Sequence, residues 1–457
     1  MTKSALNEAT TGTGEKKTGF RWIIAGLIFL IYTVAAADRA NIGVALPFLR
    51  KEFIMSNTEA GALASLFLLG YAIFQIPAGF AYSKLGVRRI FSFAMILTSV
   101  FTGLIGTAGS VFMLKLYRFG LGLAEAPLPV GITSTINHWF PPKEKGTATG
   151  IFLAAAKFGP VLVPPLCALI IAAFGWRYIF FIFAVPGILL SLVWFFVVRN
   201  NPAESPYCSS AECKYIDSEQ AGPSDKVTQT KPYNLAWLDT LIRARKVSLL
   251  ETNKRVFGSW DIWGSTVGYF FIVAIVNVLL AWIPTYLLSV KKFSIMNMGI
   301  VASAPWVGAI IGNVLGGWFS DKITNKRRKP VMMVTALSTI FMMYALVYAP
   351  NEPYLLALLM FVTGILLNLG YSAFMVYPMA LTTKQTYPIA MSVVNTGGQL
   401  GGACGPIITG MILDAYNWDA VFMFLAGCSL LCLVFLATIT EPVDEVCVSG
   451  KPAGKTA

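Results

Sequence analysis

Apolar residues in this chain gather into long runs, many of 18 residues or more, that recur from residue 20 to residue 439. Runs of that length match what a helix needs to cross the hydrocarbon core of a bilayer. Each must be helical, because lipid offers no partners for backbone N–H and C=O groups. The pattern predicts spans over 20–48, 58–83, 88–107, 111–136, 146–173, 177–198, 256–288, 296–320, 329–349, 353–381, 386–413 and 418–439. One long polar interruption, 200–254, carries Pro202, Pro206, Cys208, Pro223 and Pro232, then Arg243, Arg245 and Lys246. The expected organisation is a tail over 1–19, a six-helix bundle over 20–199, the linker 200–254, a second six-helix bundle over 255–440 and a tail over 441–457. The fold class is an all-α membrane protein of twelve transmembrane helices in two pseudo-symmetric halves.

Composition agrees with this pattern. The 457 residues are 56% hydrophobic and 12% charged, against about 25% charged in a soluble chain. The formal charge of +13 raises the question of nucleic acid. Lys and Arg sit in short clusters between the apolar runs, however, with no basic stripe and no interleaved aromatics, so no nucleic-acid partner is expected. The clusters serve better as a topology signal. With the N-terminus cytoplasmic, the inside segments hold fifteen Lys and Arg, namely Lys3, Lys16, Lys17, Arg21, Lys84, Arg88, Arg89, Lys143, Lys145, Lys322, Lys326, Arg327, Arg328, Lys329 and Lys384. The outside loops hold five, Arg50, Lys51, Arg177, Lys291 and Lys292. Both termini and the linker are therefore expected in the cytoplasm.

Lys16, Lys17 and Arg21 before an apolar stretch ending in Ala35-Ala36-Ala37 mimic a signal peptide. The long charged region and the further apolar sequence after Asp38-Arg39 favour an uncleaved first span. The seven cysteines (Cys167, Cys208, Cys213, Cys404, Cys428, Cys432, Cys447) show no metal-site or disulfide spacing and read as free thiols. No metal and no cofactor are expected.

The two halves repeat one another. After span two comes Gly79-Phe-Ala-Tyr-Ser83-Lys84-Leu-Gly86-Val-Arg88-Arg89; after span eight comes Gly317-Trp-Phe-Ser-Asp321-Lys322, then Lys326-Arg327-Arg328. A basic loop alone would explain the charges, but not a Gly-x-x-x-Asp/Ser-Lys frame recurring at the same rank. On these residues the chain resembles the major facilitator superfamily along essentially its whole length. That resemblance implies two six-helix halves rocking about a site near the bilayer midplane, with Gly79, Arg88, Gly317, Asp321 and Arg327 in gating loops. Ser83 stands where the family's loop carries an acid, which puts a charge-relay latch there in doubt; Asp321 retains the acid in the second copy.

Charges inside spans are costly and mark functional candidates. Asp38 and Arg39 lie in span one, Arg118 and Glu125 in span four, and Lys157 in span five. Arg118, Gly122 and Glu125 share one helix face, where an Arg118–Glu125 ion pair gluing helices together is the structural alternative. In the functional reading, a carboxylate in a partly dry cavity exchanges protons across the membrane while a neighbouring arginine holds an anion. Lys157 is too deep to snorkel; it either binds a substrate anion or neutralises Asp38 or Glu125. Tyr71 and Gln75 share a face of span two, as cavity lining or as a helix-to-helix tie. Asn368, Tyr371, Ser372 and Tyr377 in span ten, Asn395, Gly397, Gly398 and Gln399 in span eleven, and Asn277 in span seven give an uncharged polar lining. His138, the only histidine, falls at a helix end and is not expected to relay protons.

A further set of segments resembles the anion:cation symporter branch of that superfamily. They are Asp38-Arg39-Ala40-Asn41, Tyr71-Ala-Ile-Phe-Gln75-Ile-Pro77-Ala-Gly79, Arg118-Phe-Gly120-Leu-Gly122-Leu-Ala124-Glu125-Ala126-Pro127, Trp139-Phe-Pro-Pro-Lys-Glu144 and Trp282-Ile-Pro284-Thr-Tyr286-Leu287. The resemblance implies proton sites at Asp38 and Glu125, and substrate binding or gating by Arg39, Tyr71, Arg118 and Asn395. Sugar-acid carriers of the branch often have Gln where Lys157 stands, so a dicarboxylate, aromatic acid or sulfonate is expected as readily as an aldonate. The expected protein is a monomeric carrier in a bacterial inner membrane, importing a small organic anion with protons. Exchange of anions without obligatory protons is the alternative. A channel would need a ring-like selectivity element and an enzyme a catalytic constellation, and the sequence supplies neither.

Overall fold

A computed structural model of the chain describes residues 18–218, 242–324, 327–383 and 385–443. Lys3, Lys16, Lys17, Pro223, Pro232, Lys326, Lys384 and Cys447 lie outside the described residues, as do the side chains of Ser83 and Lys84. The helices are α1 (Phe20–Phe53), α2 (Asn57–Leu85), α3 (Val87–Thr107), α4 (Val111–Glu125), α5 (Pro127–Trp139), α6 (Pro142–Phe174), α7 (Arg177–Val197) and α8 (Ser210–Ser218). After the linker follow α9 (Trp260–Ser289), α10 (Ile295–Trp318), α11 (Lys329–Val347), α12 (Pro353–Asn368), α13 (Tyr371–Leu381), α14 (Tyr387–Ala415) and α15 (Trp418–Thr438).

Every expected span coincides with helix, and ten helical stretches of the described residues are long and apolar enough to cross a membrane. The remaining two positions explain themselves locally. Span four is interrupted at Ala126 by Pro127, which lacks the N–H of a continuing ladder. The glycines of Gly397-Gly398 and Gly401-Gly402 dilute the apolar character of α14. Span ten is broken as well, at Leu369-Gly370, where the Gly370 N–H leaves the helical ladder and donates to Thr335 Oγ1 at 2.6 Å. The sequence pattern predicts both spans as continuous. Their breaks fall at equivalent ranks of the two halves.

The repeat extends to packing. In the first half α2 and α4 touch backbone to backbone: a Cβ at Gly122 would stand 2.0 Å from the Phe67 carbonyl oxygen. In the second half α10 and α12 do the same, with 2.1 Å from Gly308 to the Phe361 oxygen. Small residues replace side-chain interdigitation there because between lipid-embedded helices close packing itself drives association. The halves join through α2 against α14, α6 against α10 and α1 against α9. At one end of that seam the Asp414 carboxylate of α14 accepts the Asn57 and Thr58 N–H groups at 2.8 and 2.9 Å and the Asn57 Nδ2 at 2.8 Å, and caps α2 from the other half.

At the opposite end the expected linker and tail are structured where described. Glu212 of α8 accepts the Phe20 and Arg21 N–H groups at the start of α1 (3.0 and 3.3 Å) and pairs with Arg21 Nη1 at 2.8 Å. Burial works against its ionised form, yet the bonds from Thr18 and Arg21 outweigh that and hold its carboxyl below the ordinary range. In the second half Ala244–Arg245 pairs in parallel with Glu441–Pro442. Glu441 thereby accepts the Arg328 and Lys329 N–H groups, both at 2.8 Å, at the start of α11. Burial pushes its carboxyl up to about 7, against the pull of those two bonds. Cys208 and Cys213 are free, with sulfur atoms 3.3 Å apart.

Candidate functional site

Asp38 and Arg39 occupy the middle of α1, and Glu125 ends α4 at the break before Pro127. The break frees Glu125 from a regular helix interior and lets it meet Arg39, whose Nε donates to Oε1 at 2.5 Å. Glu125 is fully buried, whereas the Arg39 side chain keeps about a quarter of its surface. The guanidinium lies 4.8 Å from the Tyr71 ring centroid and 5.8 Å from those of Tyr32 and Phe67. Arg39 Nη2 and Glu125 Oε2 have no hydrogen-bond partner among the described residues, so each group keeps bonding capacity in reserve. Asp38 is buried beside this pair, takes a 3.4 Å bond from Asn41 Nδ2, and likewise leaves Oδ2 unpartnered there.

Arg118 is placed differently from the ion pair weighed as an alternative. Its Nε and Nη1 donate to the Leu63 and Asp38 carbonyl oxygens at 3.1 and 3.3 Å, and its guanidinium covers Phe67 at 4.8 Å. At 1% exposure it ties α1, α2 and α4 together, and Arg39 takes Glu125 instead. The pairing was hidden because Arg39 and Glu125 are 86 residues apart, while Arg118 and Glu125 share a face.

A second cluster bridges the halves. Lys157 Nζ of α6 donates to Asn368 Oδ1 at 3.0 Å and lies 4.3 Å from the Tyr371 ring centroid. Asn368 and Tyr371 flank the break of span ten, so the two interruptions deliver Glu125 to Arg39 and Asn368 to Lys157. The Asn368 amide is oriented by its own Nδ2, which donates to the Gly364 oxygen at 3.0 Å. Tyr269 donates to the Tyr371 hydroxyl at 2.9 Å. Arg39 and Tyr32 lie within electrostatic range of Tyr371, and Tyr32 and Tyr71 within range of Tyr269. Tyr32 and Tyr71 thus face Arg39, Tyr371 faces Lys157, and Tyr269 is bonded to Tyr371, from four helices in all. Tyr32 and Tyr269 were missed by sequence reasoning; each sits in an apolar run with no charge beside it.

Gln75, Ser372 and Asn395 are half-buried and join neither cluster through a hydrogen bond. The loop candidates lie at the linker end. Gly79 and Gly317 are both inside helices with open space about them, and the turn is made instead by Gly86 at φ +76°. Asn200 Oδ1 accepts the Arg88 N–H at 3.0 Å there, and Arg88 Nε donates to the Phe195 oxygen at 2.7 Å. Asp321, in a π-type turn over Phe319–Ile323, pairs with Arg328 at 2.9 Å. Arg327 is buried beside it, its carbonyl accepting from Ser320 and Thr324. Among the described residues no His, Cys, Asp and Glu cluster fits a metal ion.

Paired bundles with broken spans and ionisable groups at the seam define a multi-pass membrane carrier. The Major Facilitator Superfamily model matches residues 28–337 and, in an overlapping second match, 297–456. The chain belongs to that superfamily and is a transporter, not an enzyme. It is 30% identical over 437 residues to the probable galactarate/D-glucarate transporter GarP of Escherichia coli, covering 91% of this chain and 94% of that one. The probable sulfoacetate transporter SauU of Cupriavidus necator is 27% identical over 441 residues (93% and 96%), and the hexuronate transporter of Bacillus subtilis 25% over 452 (94% and 96%). Among solved structures, an inward-facing bacterial homolog of the lysosomal transporter Spinster superposes with a TM-score of 0.70 at 21% identity, over 91% of this chain and 95% of that one. A D-xylose–proton symporter gives 0.70 at 17% (92% and 97%). These two support the fold.

Proposed function

We propose that this chain imports a small organic anion together with protons by alternating access. The observation that carries the reading is the Arg39–Glu125 pair, its carboxylate buried, with Arg39 Nη2 and Glu125 Oε2 left without partners among the described residues. An anion arriving at Arg39 competes with Glu125 for the guanidinium fork, which matches a carboxylate or sulfonate. The carboxylate it displaces is left in a dry setting without its cation, and there it takes up a proton. Anion and proton thus favour each other's binding, and the coupling is reciprocal. Asp38, buried within one residue of Arg39, is the second proton site of this proposal. The relatives named for galactarate, D-glucarate, hexuronate and sulfoacetate support an anionic cargo.

The seam of α2 with α14, α6 with α10 and α1 with α9 is the hinge about which the halves rock. The Asp414 cap closes the outer end of that seam, and the linker docks at the cytoplasmic end. In this proposal twelve spans, bounded as the two bundles 20–199 and 255–440, place both termini in the cytoplasm of a bacterium whose inner membrane holds the protein as a monomer. Uptake of radiolabelled D-glucarate by proteoliposomes, with and without an inward proton gradient, tests the coupling. Accumulation driven by the gradient is expected. Full uptake without a gradient, but only with counter-anion loaded inside, overturns symport in favour of exchange.

A further inference from the structure

Several buried or half-buried cations of the described chain are held by a carboxylate or by backbone carbonyls. Arg39 pairs with Glu125, Arg21 with Glu144 and Glu212, and Arg177 with Glu52. Arg118 gives two of its donors to backbone oxygens and lies near the Asp38 and Glu125 carboxylates, and Lys329 gives its ammonium to three backbone oxygens. Lys157 is different. Its ammonium carries three N–H donors, yet among the described residues it has one acceptor, Asn368 Oδ1, and one aromatic face, Tyr371. A charge held inside a membrane bundle by neutral groups alone is costly and calls for an anion.

We infer that Lys157 is the receptor for a second negative group on the substrate, so that this carrier selects dianions over monoanions; the inference rests on the organic-anion reading above. The groups around Lys157 are arranged for such a guest. Asn368 is locked with its oxygen on the ammonium, orienting the remaining N–H donors. Tyr371 accepts from Tyr269, which leaves its own hydroxyl hydrogen free to donate to the same guest. Charge count leads to the same class. The two clusters hold three cations and two carboxylates, so a dianion accompanied by one proton, held by either Glu125 or Asp38, leaves the loaded site neutral. Without Lys157, a monoanion with one proton would do so. Because Lys157 and Asn368 belong to opposite halves, the second group of the substrate binds across the moving seam.

The test compares matched probes on the purified, reconstituted full chain: D-glucarate with D-gluconate, succinate with butyrate, and sulfoacetate with acetate. Thermal stabilisation and uptake are read for the wild type, Lys157→Gln and Lys157→Arg. The wild type is expected to prefer the dianion of a pair, and Lys157→Gln to lose roughly 10- to 100-fold in apparent affinity for it. The monoanion should change by less than about threefold, and Lys157→Arg should keep the dianion preference. Equal loss of both members of a pair assigns Lys157 to tethering the halves and overturns the inference. So does an unchanged preference in Lys157→Gln, or a wild type indifferent to the second charge. A wild type stabilised by no anion at all overturns the organic-anion reading itself, which separates the two failures.

Discussion

Gly122 offers a sharp test of how the site is built. It lies one turn after Arg118 and three residues before Glu125, where α4 crosses α2. A methyl group there meets the Phe67 carbonyl oxygen at 2.0 Å and the Tyr71 nitrogen at 3.0 Å. Ordinary van der Waals contact begins at 3.4 Å, so Gly122→Ala forces the helices apart by roughly 1.4 Å at this point. Neither obstacle is the end of a flexible side chain, so the strain has to be taken up by the helices. Alanine gains about 1 kcal/mol of helix propensity over glycine, while overpacking of this kind costs about 1–3 kcal/mol, at the upper end against backbone. A net destabilisation of about 1–2 kcal/mol is expected. Uptake should fall further than stability, because the shift separates Glu125 on α4 from the Tyr71 and Arg39 side of the site. Gly103→Ala is the control, since its methyl group meets Ala184 Cβ at an ordinary 3.6 Å and should leave the protein unchanged or stabilised by up to about 1 kcal/mol. Thermal unfolding of both variants in detergent, with uptake in proteoliposomes, makes the comparison. If Gly122→Ala melts with the wild type and transports normally, the close approach of α2 and α4 does not position the site.

Other substitutions probe separate links. Glu125→Gln keeps the shape but removes the group that competes for Arg39; counterflow of anion should persist while stimulation by a pH gradient disappears, and gradient-driven uptake at wild-type rate would place the proton elsewhere. Glu441, raised from an ordinary 4.5 to about 7 by burial, makes the folded state bind its proton more tightly than the unfolded chain does. Its favourable contribution is therefore complete below about pH 4.5 and is lost as pH rises through about 7, a span of roughly 3 kcal/mol. The melting temperature of the wild type should fall over that window relative to Glu441→Gln, and parallel curves would contradict the assignment. Asp414→Ala removes the cap that joins α14 to α2, so distance measurements between spin labels on the two halves should show that end of the seam opening more often.

The hydrophobic pattern by itself determined that the chain crosses a membrane many times, where nearly all the helices lie, and that it is built as a duplicate. Runs of this length have one solution in lipid, and a repeated loop frame needs no three-dimensional knowledge to be seen. It also singled out Asp38, Arg39, Glu125 and Lys157, because a charge inside an apolar run is conspicuous wherever it points. Tertiary structure alone decided their partners. Arg39 rather than Arg118 meets Glu125, since pairing depends on how α1 and α4 are set against each other and not on spacing within α4. Tyr32 and Tyr269 were invisible because an aromatic in an apolar run looks the same facing lipid or facing the polar cluster. The breaks at Ala126 and Gly370 were disguised for a related reason: apolar sequence continues through each, and Pro127 and Gly370 by themselves do not say whether a helix bends or breaks. Lys157 shows both sides of this division. Its depth was legible from sequence, but its neutral company of Asn368 and Tyr371 from the opposite half required the fold.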